Sequence, residues 1–197
     1  EKSNGGLKEI TNPSKLFIGT NDTPTPGTEI FACMEGTRPL LMEVQALVSP
    51  SPLGTPRRTT VGWDSNRLSM ILAVLEARAG VIIGANDVYL NVAGGLKVRE
   101  PAADLAVAAA LLSSLTGTVI PHGTAVFGEV ALSGAIRPVG QTEARLKEAQ
   151  KLGLREAVIA AATEQASVKG LKVKSIETIS DLVAWTAAQD KGLRRIV

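Results

Sequence analysis

The chain has 197 residues, 45% of them hydrophobic and 20% charged, enough to bury a full core in one domain with an appendage. Lysine and arginine number 21 against 19 acidic residues, and the formal charge of +2 permits a nucleic-acid partner without requiring one. A single cysteine, Cys33, excludes an internal disulfide and a zinc site built on several thiolates, and a single histidine, His122, argues against metal chemistry. No window nears the roughly 18 consecutive apolar residues of a membrane-spanning helix, so a cytoplasmic protein without a membrane partner is expected.

Residues 1–27 collect Asn, Pro, Gly, Thr and Ser, and read as a connector with a short turn around Pro13–Phe17. A main domain is expected over residues 28–190, followed by a basic tail at 191–197. It opens with strands at Glu29–Met34 and Pro39–Val48 joined by a turn at Glu35-Gly36-Thr37, a hairpin in which one strand face is apolar throughout. A proline-rich loop then leads to Arg57-Arg58 and a short strand Thr59–Trp63.

Asp64-Ser65-Asn66 offers N-caps for a helix whose Leu68, Ile71, Leu72, Leu75 and Ala79 follow i, i+3, i+4 spacing, with Gly80 as its stop. In the next strand Val88, Leu90 and Val92 alternate with Tyr89 and Asn91, and Gly94-Gly95 ends it. Pro101 supplies the φ of a first helical turn, and from Leu105 to Leu115 nearly every residue is Ala, Val, Leu or Ser. A helix with no polar face must be covered on most sides, which places it at the centre of the core.

Thr124–Val130 and Ala135–Val139 read as strands of a hairpin around Ser133-Gly134. A helix Thr142–Leu152 follows, with Leu146, Ala149 and Leu152 inward and Gly153 at C′. The chain continues with a strand Ala157–Ala160, a short helix Thr163–Val168 and a strand Lys172–Ile176. Last comes a helix opened by Thr178-x-x-Asp181 with Ile179, Leu182, Val183 and Thr186 on one side. Strands followed by alternating helices and strands predict an α/β, two-layer α+β domain.

No G-x-x-x-x-G-K-[ST] occurs, so this segment is not expected to hydrolyse ATP. Gly94-Gly95-Leu96-Lys97 lacks the spacing of a phosphate cradle and reads as a turn. His122, beside Pro121 and Gly123, reads as a loop histidine, and Cys33 as a half-buried structural thiol. Trp63 and Tyr89 read as core or interface residues. A Ser-Lys dyad is the enzyme reading that needs no histidine.

The run from Asp87 to Arg145 resembles the proteolytic domain of Lon proteases. Gly128-Glu129-Val130-Ala131-Leu132-Ser133-Gly134-Ala135-Ile136-Arg137-Pro138-Val139-Gly140 follows that family's second motif closely. The position after Pro101 that should hold the nucleophilic serine is Ala102, and the position that should hold the general-base lysine is Glu143. With no hydroxyl to activate, a carboxylate there has no task, and both halves of the dyad are absent.

Together EGTRPLLMEVQALV, TPRRTTVGWDSNRL, DVYLNVAGG, EPAADLAVAAALLSSLTG and GEVALSGAIRPVGQTEARLKEA resemble the bacterial RadA/Sms DNA-repair family, and residues 6–17 resemble the end of that family's ATPase core. The resemblance implies a fold like the Lon proteolytic domain and the second domain of ribosomal protein S5. It also implies homo-hexameric rings and branch migration of DNA, with a recombinase as a partner of the whole protein. ATP, magnesium and zinc are implied only for segments outside this one, and no cofactor is expected here.

Arg57, Arg58, Arg67, Lys97 and Arg99 are the basic residues closest to loops and element ends, and are the candidate DNA contacts. The leading expectation is a non-catalytic scaffold that supports ring assembly and DNA binding. The alternatives are an oligomerisation module without DNA contact, and a peptidase using a displaced pair such as Ser133 with Lys147. Glu143 and Lys147 at i, i+4 read as a surface ion pair.

Overall fold

The computed structural model describes residues 23–52, 54–163 and 167–193. The expected turn at Pro13–Phe17, most of the connector 1–27 and the end of the 191–197 tail lie outside them, as do the middle residues of the helix expected over Thr163–Val168.

Among the described residues, nine strands and four helices run in the order β1 (Thr28–Glu35), β2 (Arg38–Pro50), β3 (Arg58–Val61), α1 (Ser65–Ala79), β4 (Asn86–Val92), α2 (Asp104–Thr116), β5 (Thr124–Val126), β6 (Glu129–Val130), β7 (Ile136–Arg137), α3 (Thr142–Lys151), β8 (Glu156–Ala160), β9 (Lys172–Ile176) and α4 (Ile179–Leu193). Seven strands form one mixed sheet in the order β3-β4-β2-β1-β5-β8-β9, and β6 and β7 form a separate ribbon. The expected hairpin is β1–β2, closed at Glu35↔Arg38. The α/β assignment holds: helices pack on a mixed sheet whose outer strands join in parallel and whose centre is antiparallel.

The segment expected as one strand, Thr124–Val130, is divided between the two sheets. Its break lies at Phe127-Gly128, where the Gly128 amide leaves the ladder and donates to the Ala102 carbonyl at 2.8 Å, while the Leu105 amide donates to the Gly128 carbonyl at 3.1 Å. A side chain at Gly128 would crowd Ile136 and Leu105 at 3.1 and 3.2 Å, so the close pass favours glycine.

Helix α2 is buried from Asp104 through Ser113, as its lack of a polar face demands. It packs against β1 and β2, and so does α3. The expected apolar face of β2 is buried from Leu40 through Ala46, and cover by both helices also buries Leu41 and Glu43 on the other parity, with Gln45 and Leu47 exposed beyond them. Asp64 caps α1 through the Arg67 amide at 2.8 Å, and Gly80 closes it in the left-handed region at φ 67°. The buried stripe of α1 also takes Val74. Asp181 accepts the Glu177 and Thr178 amides at 3.1 and 3.0 Å, the box that starts α4.

One buried acid is placed against the grain of the core. Glu29 is 2% exposed, its Oε1 accepts the Ile30 amide at 3.0 Å, and its Oε2 has no partner among the described residues. Burial pushes its carboxyl well above the usual range, the Ile30 amide opposes this, and the Glu156 charge adds to it. The folded chain keeps a proton that the unfolded chain releases above about pH 4.5. Stability therefore falls as pH rises from there towards the folded-state value, by up to about 1.4 kcal/mol per unit, and levels off beyond it. Glu29→Gln is expected to remove that slope, so urea denaturation shows the variant gaining on the wild type as pH rises from about 5 upward. A constant difference across that range would exclude the role.

Candidate functional site

The turn that precedes α2 is where a Lon-like nucleophile would be presented. Pro101–Ala103 forms a single 3₁₀ turn that leads directly into the helix, and Ala102 is 3% exposed. Two ion pairs clamp the turn from either end. On one side Glu100 pairs with Arg145 of α3 and also accepts the Met34 amide at 3.4 Å. Arg145, buried, donates further to the Ala32 carbonyl at 2.7 Å and the Gly140 carbonyl at 3.0 Å, and its guanidinium lies 5.6 Å from the centre of the Phe127 ring. On the other side Asp104 accepts both Arg67 Nε and Arg67 Nη2 at 2.5 Å, together with the Val130 amide at 3.0 Å. Burial pushes the Asp104 carboxyl up, while Arg67 and the Val130 amide pull it back.

Glu143, where the Lon resemblance expects a lysine, is exposed and pairs with Lys147 at 2.5 Å, which holds its carboxyl below the usual range. Ser133 is exposed in the β6–β7 turn, where its hydroxyl accepts the Ala135 amide at 3.3 Å. The Lys147 ammonium is committed to Glu143, so no Ser133–Lys147 pair is assembled. Cys33 is buried, not half-buried as the sequence suggests, and burial together with the Glu100 charge pushes its thiol up to about 12.

The five basic candidates divide among three local situations. Arg57 and Arg58 stand at the entrance to β3, the free edge of the main sheet. The Arg58 guanidinium folds back onto the carbonyls of Asn86, Arg57 and Gly84, whereas the exposed Arg57 side chain makes no ion pair among the described residues. The Arg57 amide donates to Asp87 at 2.7 Å and holds that carboxyl below the usual range.

Beyond the other end of β3, the Gly62 carbonyl accepts the Val98 amide at 2.9 Å and docks an irregular strap, residues 96–100. Lys97 and Arg99 on this strap are exposed and make no ion pair among the described residues. The strap and the start of α1 enclose a cleft of about 640 Å³ whose walls include Trp63, Asn66, Arg67, Met70, Lys97 and Arg99. Arg67 thus reaches the cleft already neutralised by Asp104. The structure brings Arg67, Lys97 and Arg99 together and leaves Arg57 and Arg58 at the opposite end of the same edge strand.

The clamps were not singled out from the sequence. Arg145 precedes the inward Leu146 and lies four residues before the inward Ala149, so a buried arginine calling for a carboxylate was the available signal. Glu100 and Asp104, four apart across Pro101, were its available partners.

Residues 57–163 match the family model described as subunit ChlI of Mg-chelatase. The chain is similar to proteins named DNA repair protein RadA. That of Brucella abortus is 53% identical over 193 residues, which is 98% of this chain and 41% of the relative. That of Rickettsia bellii is 56% identical over 158 residues, 80% of this chain and 35% of the relative, and that of Synechocystis is 46% identical over 184 residues, 93% and 36%. The chain spans well under half the length of these relatives.

Proposed function

The chain belongs to the ChlI family and is similar over most of its length to RadA proteins, and from that premise we propose that it is a RadA-type C-terminal region, a non-catalytic Lon-like domain that serves DNA repair by joining subunits into a homo-hexamer and touching DNA. The observation that carries this reading is the pre-helical turn. A frame suited to presenting a nucleophile holds buried Ala102 instead, and two ion pairs fix that turn as a structural joint.

In this reading ATP hydrolysis, with its magnesium, and a zinc site belong to other segments of the whole protein, which acts in the cytoplasm, drives branch migration and meets a recombinase. This segment contributes shape and positive charge. Arg57 at one end of the β3 edge and Lys97 and Arg99 at the other are free to meet phosphates, and Arg58 and Arg67 hold the loops that present them. The experiment is a mass measurement and a DNA-binding titration of this chain at low salt. Self-association with DNA binding is the expected result, and a monomer that ignores DNA would end the proposal.

A pure oligomerisation module is the second reading, favoured by Leu47, Val61 and Ile82, which are 58%, 54% and 72% exposed. Under it, Arg57→Glu and Arg58→Glu leave both the ring and the DNA affinity unchanged.

A further inference from the structure

We infer that the cleft between the start of α1 and the 96–100 strap is a binding site for one unpaired nucleoside phosphate, which Lys97 and Arg99 hold by its phosphate and the Trp63–Met70 side receives by its base. This deepens the proposed DNA contact and rests on it for the physiological ligand. The cleft's volume, about 640 Å³, lies within the range of small-ligand sites.

Its walls are chemically divided. On the strap side stand two exposed cations with no ion pair among the described residues. Toward α1 the wall carries Met70, a large apolar side chain left 42% exposed, and Trp63. The Trp63 indole is 7% exposed, and its Nε1–H is buried without an acceptor among the described residues. A buried donor left unmade is costly, so an opening of this wall that brought a carbonyl or phosphate oxygen of a ligand to Nε1 would be favoured. Arg67, held flat by two bonds to Asp104, has no charge to spare for a phosphate, but its plane can stack against a base.

Asp64 shapes the choice further. It lies in the same wall and caps α1, so a di- or triphosphate at that helix end would meet a carboxylate. The single phosphate of a nucleotide unit, placed on the strap side, avoids it. Asn66, exposed next to the cap, offers both a donor and an acceptor to a base edge.

A nucleoside phosphate can come from a single-stranded or extruded position in DNA or from a free mononucleotide, and one titration separates the sources. In a Trp185→Phe chain, where Trp63 is the only tryptophan, indole emission is followed while dTMP, a short oligothymidylate or a blunt duplex is added. Calorimetry on the unsubstituted chain gives the same comparison should Trp185→Phe not fold. DNA binding is read independently by anisotropy of a labelled strand.

The expected result is a change in Trp63 emission with oligothymidylate and little with duplex, and Lys97→Ala with Arg99→Ala raises the dissociation constant at least about tenfold. A response to dTMP with no DNA bound by anisotropy keeps the site and removes the DNA reading. DNA bound by anisotropy with Trp63 silent to both dTMP and oligothymidylate overturns the site and leaves the DNA reading standing. Silence in every arm overturns both.

Discussion

Arg145→Ala is expected to cost about 3–5 kcal/mol of unfolding free energy, the cost of breaking a buried ion pair by removing one partner. The side chain ends in a buried network: Glu100, the Ala32 and Gly140 carbonyls, and the face of Phe127. Truncation leaves a carboxylate with only the Met34 amide at 3.4 Å and removes the donor to two carbonyls. It also releases α3 from β1, because the bond to Ala32 spans those elements. Urea denaturation reads the loss directly, and a change below about 1 kcal/mol would show that the clamp carries no stability. Adding Glu100→Leu to Arg145→Met should recover part of the loss, because the uncompensated charge is what makes a broken pair costly.

Gly62→Ala is expected to cost about 2–4 kcal/mol and to loosen the strap. Gly62 lies at φ 78°, where an L side chain is strained, and an added Cβ would fall 2.4 Å from the Leu96 carbonyl oxygen and 2.9 Å from Val92 Cβ. Neither neighbour is a flexible tip. The Gly62 carbonyl also holds the Val98 amide, so the substitution acts on the contact that docks residues 96–100. The far side of that strap borders a second cavity of about 140 Å³ walled by Cys33, Met34 and Met42. Cys33, the only cysteine, therefore reports on strap movement: a thiol reagent should label Gly62→Ala faster than the wild type. Equal labelling together with equal stability would show that the close approach at Gly62 does not hold the strap.

Much of the fold is written in local patterns. The all-apolar run Leu105–Leu112 announces a central helix, Asp64 and Gly80 bound α1, and the alternation of Val88, Leu90 and Val92 marks a buried strand face. What escaped depends on contacts distant in sequence. The division of Thr124–Val130 between two sheets is set by Gly128 bonding to Ala102 and Leu105, a pairing that no local period encodes. Burial of both faces of β2 depends on α3, which lies about a hundred residues further on.

The site was legible only in part. Ala102 and Glu143 could be located by motif spacing, and the basic candidates by proximity to loops. Which of those cations are free could not be read locally, because it depends on Asp104 reaching Arg67 and on the carbonyls of Gly84 and Asn86 reaching Arg58. Adjacent in the sequence and both next to the proline-rich loop, Arg57 and Arg58 stand there as equal candidates. Their hydrogen bonds separate them: Arg58 braces the entry to β4, and Arg57 remains available.

We propose that this Lon-like frame has exchanged catalysis for DNA contact along the β3 edge. A salt titration of DNA affinity, with mass measured in the same buffers, tests it most directly by comparing the wild type with an Arg57→Ala, Lys97→Ala, Arg99→Ala chain. Each lost phosphate contact flattens the dependence of log affinity on log salt by about 0.9, so the substituted chain should be flatter by about 2–3 units with its mass unchanged. An unchanged slope at unchanged mass would contradict the account.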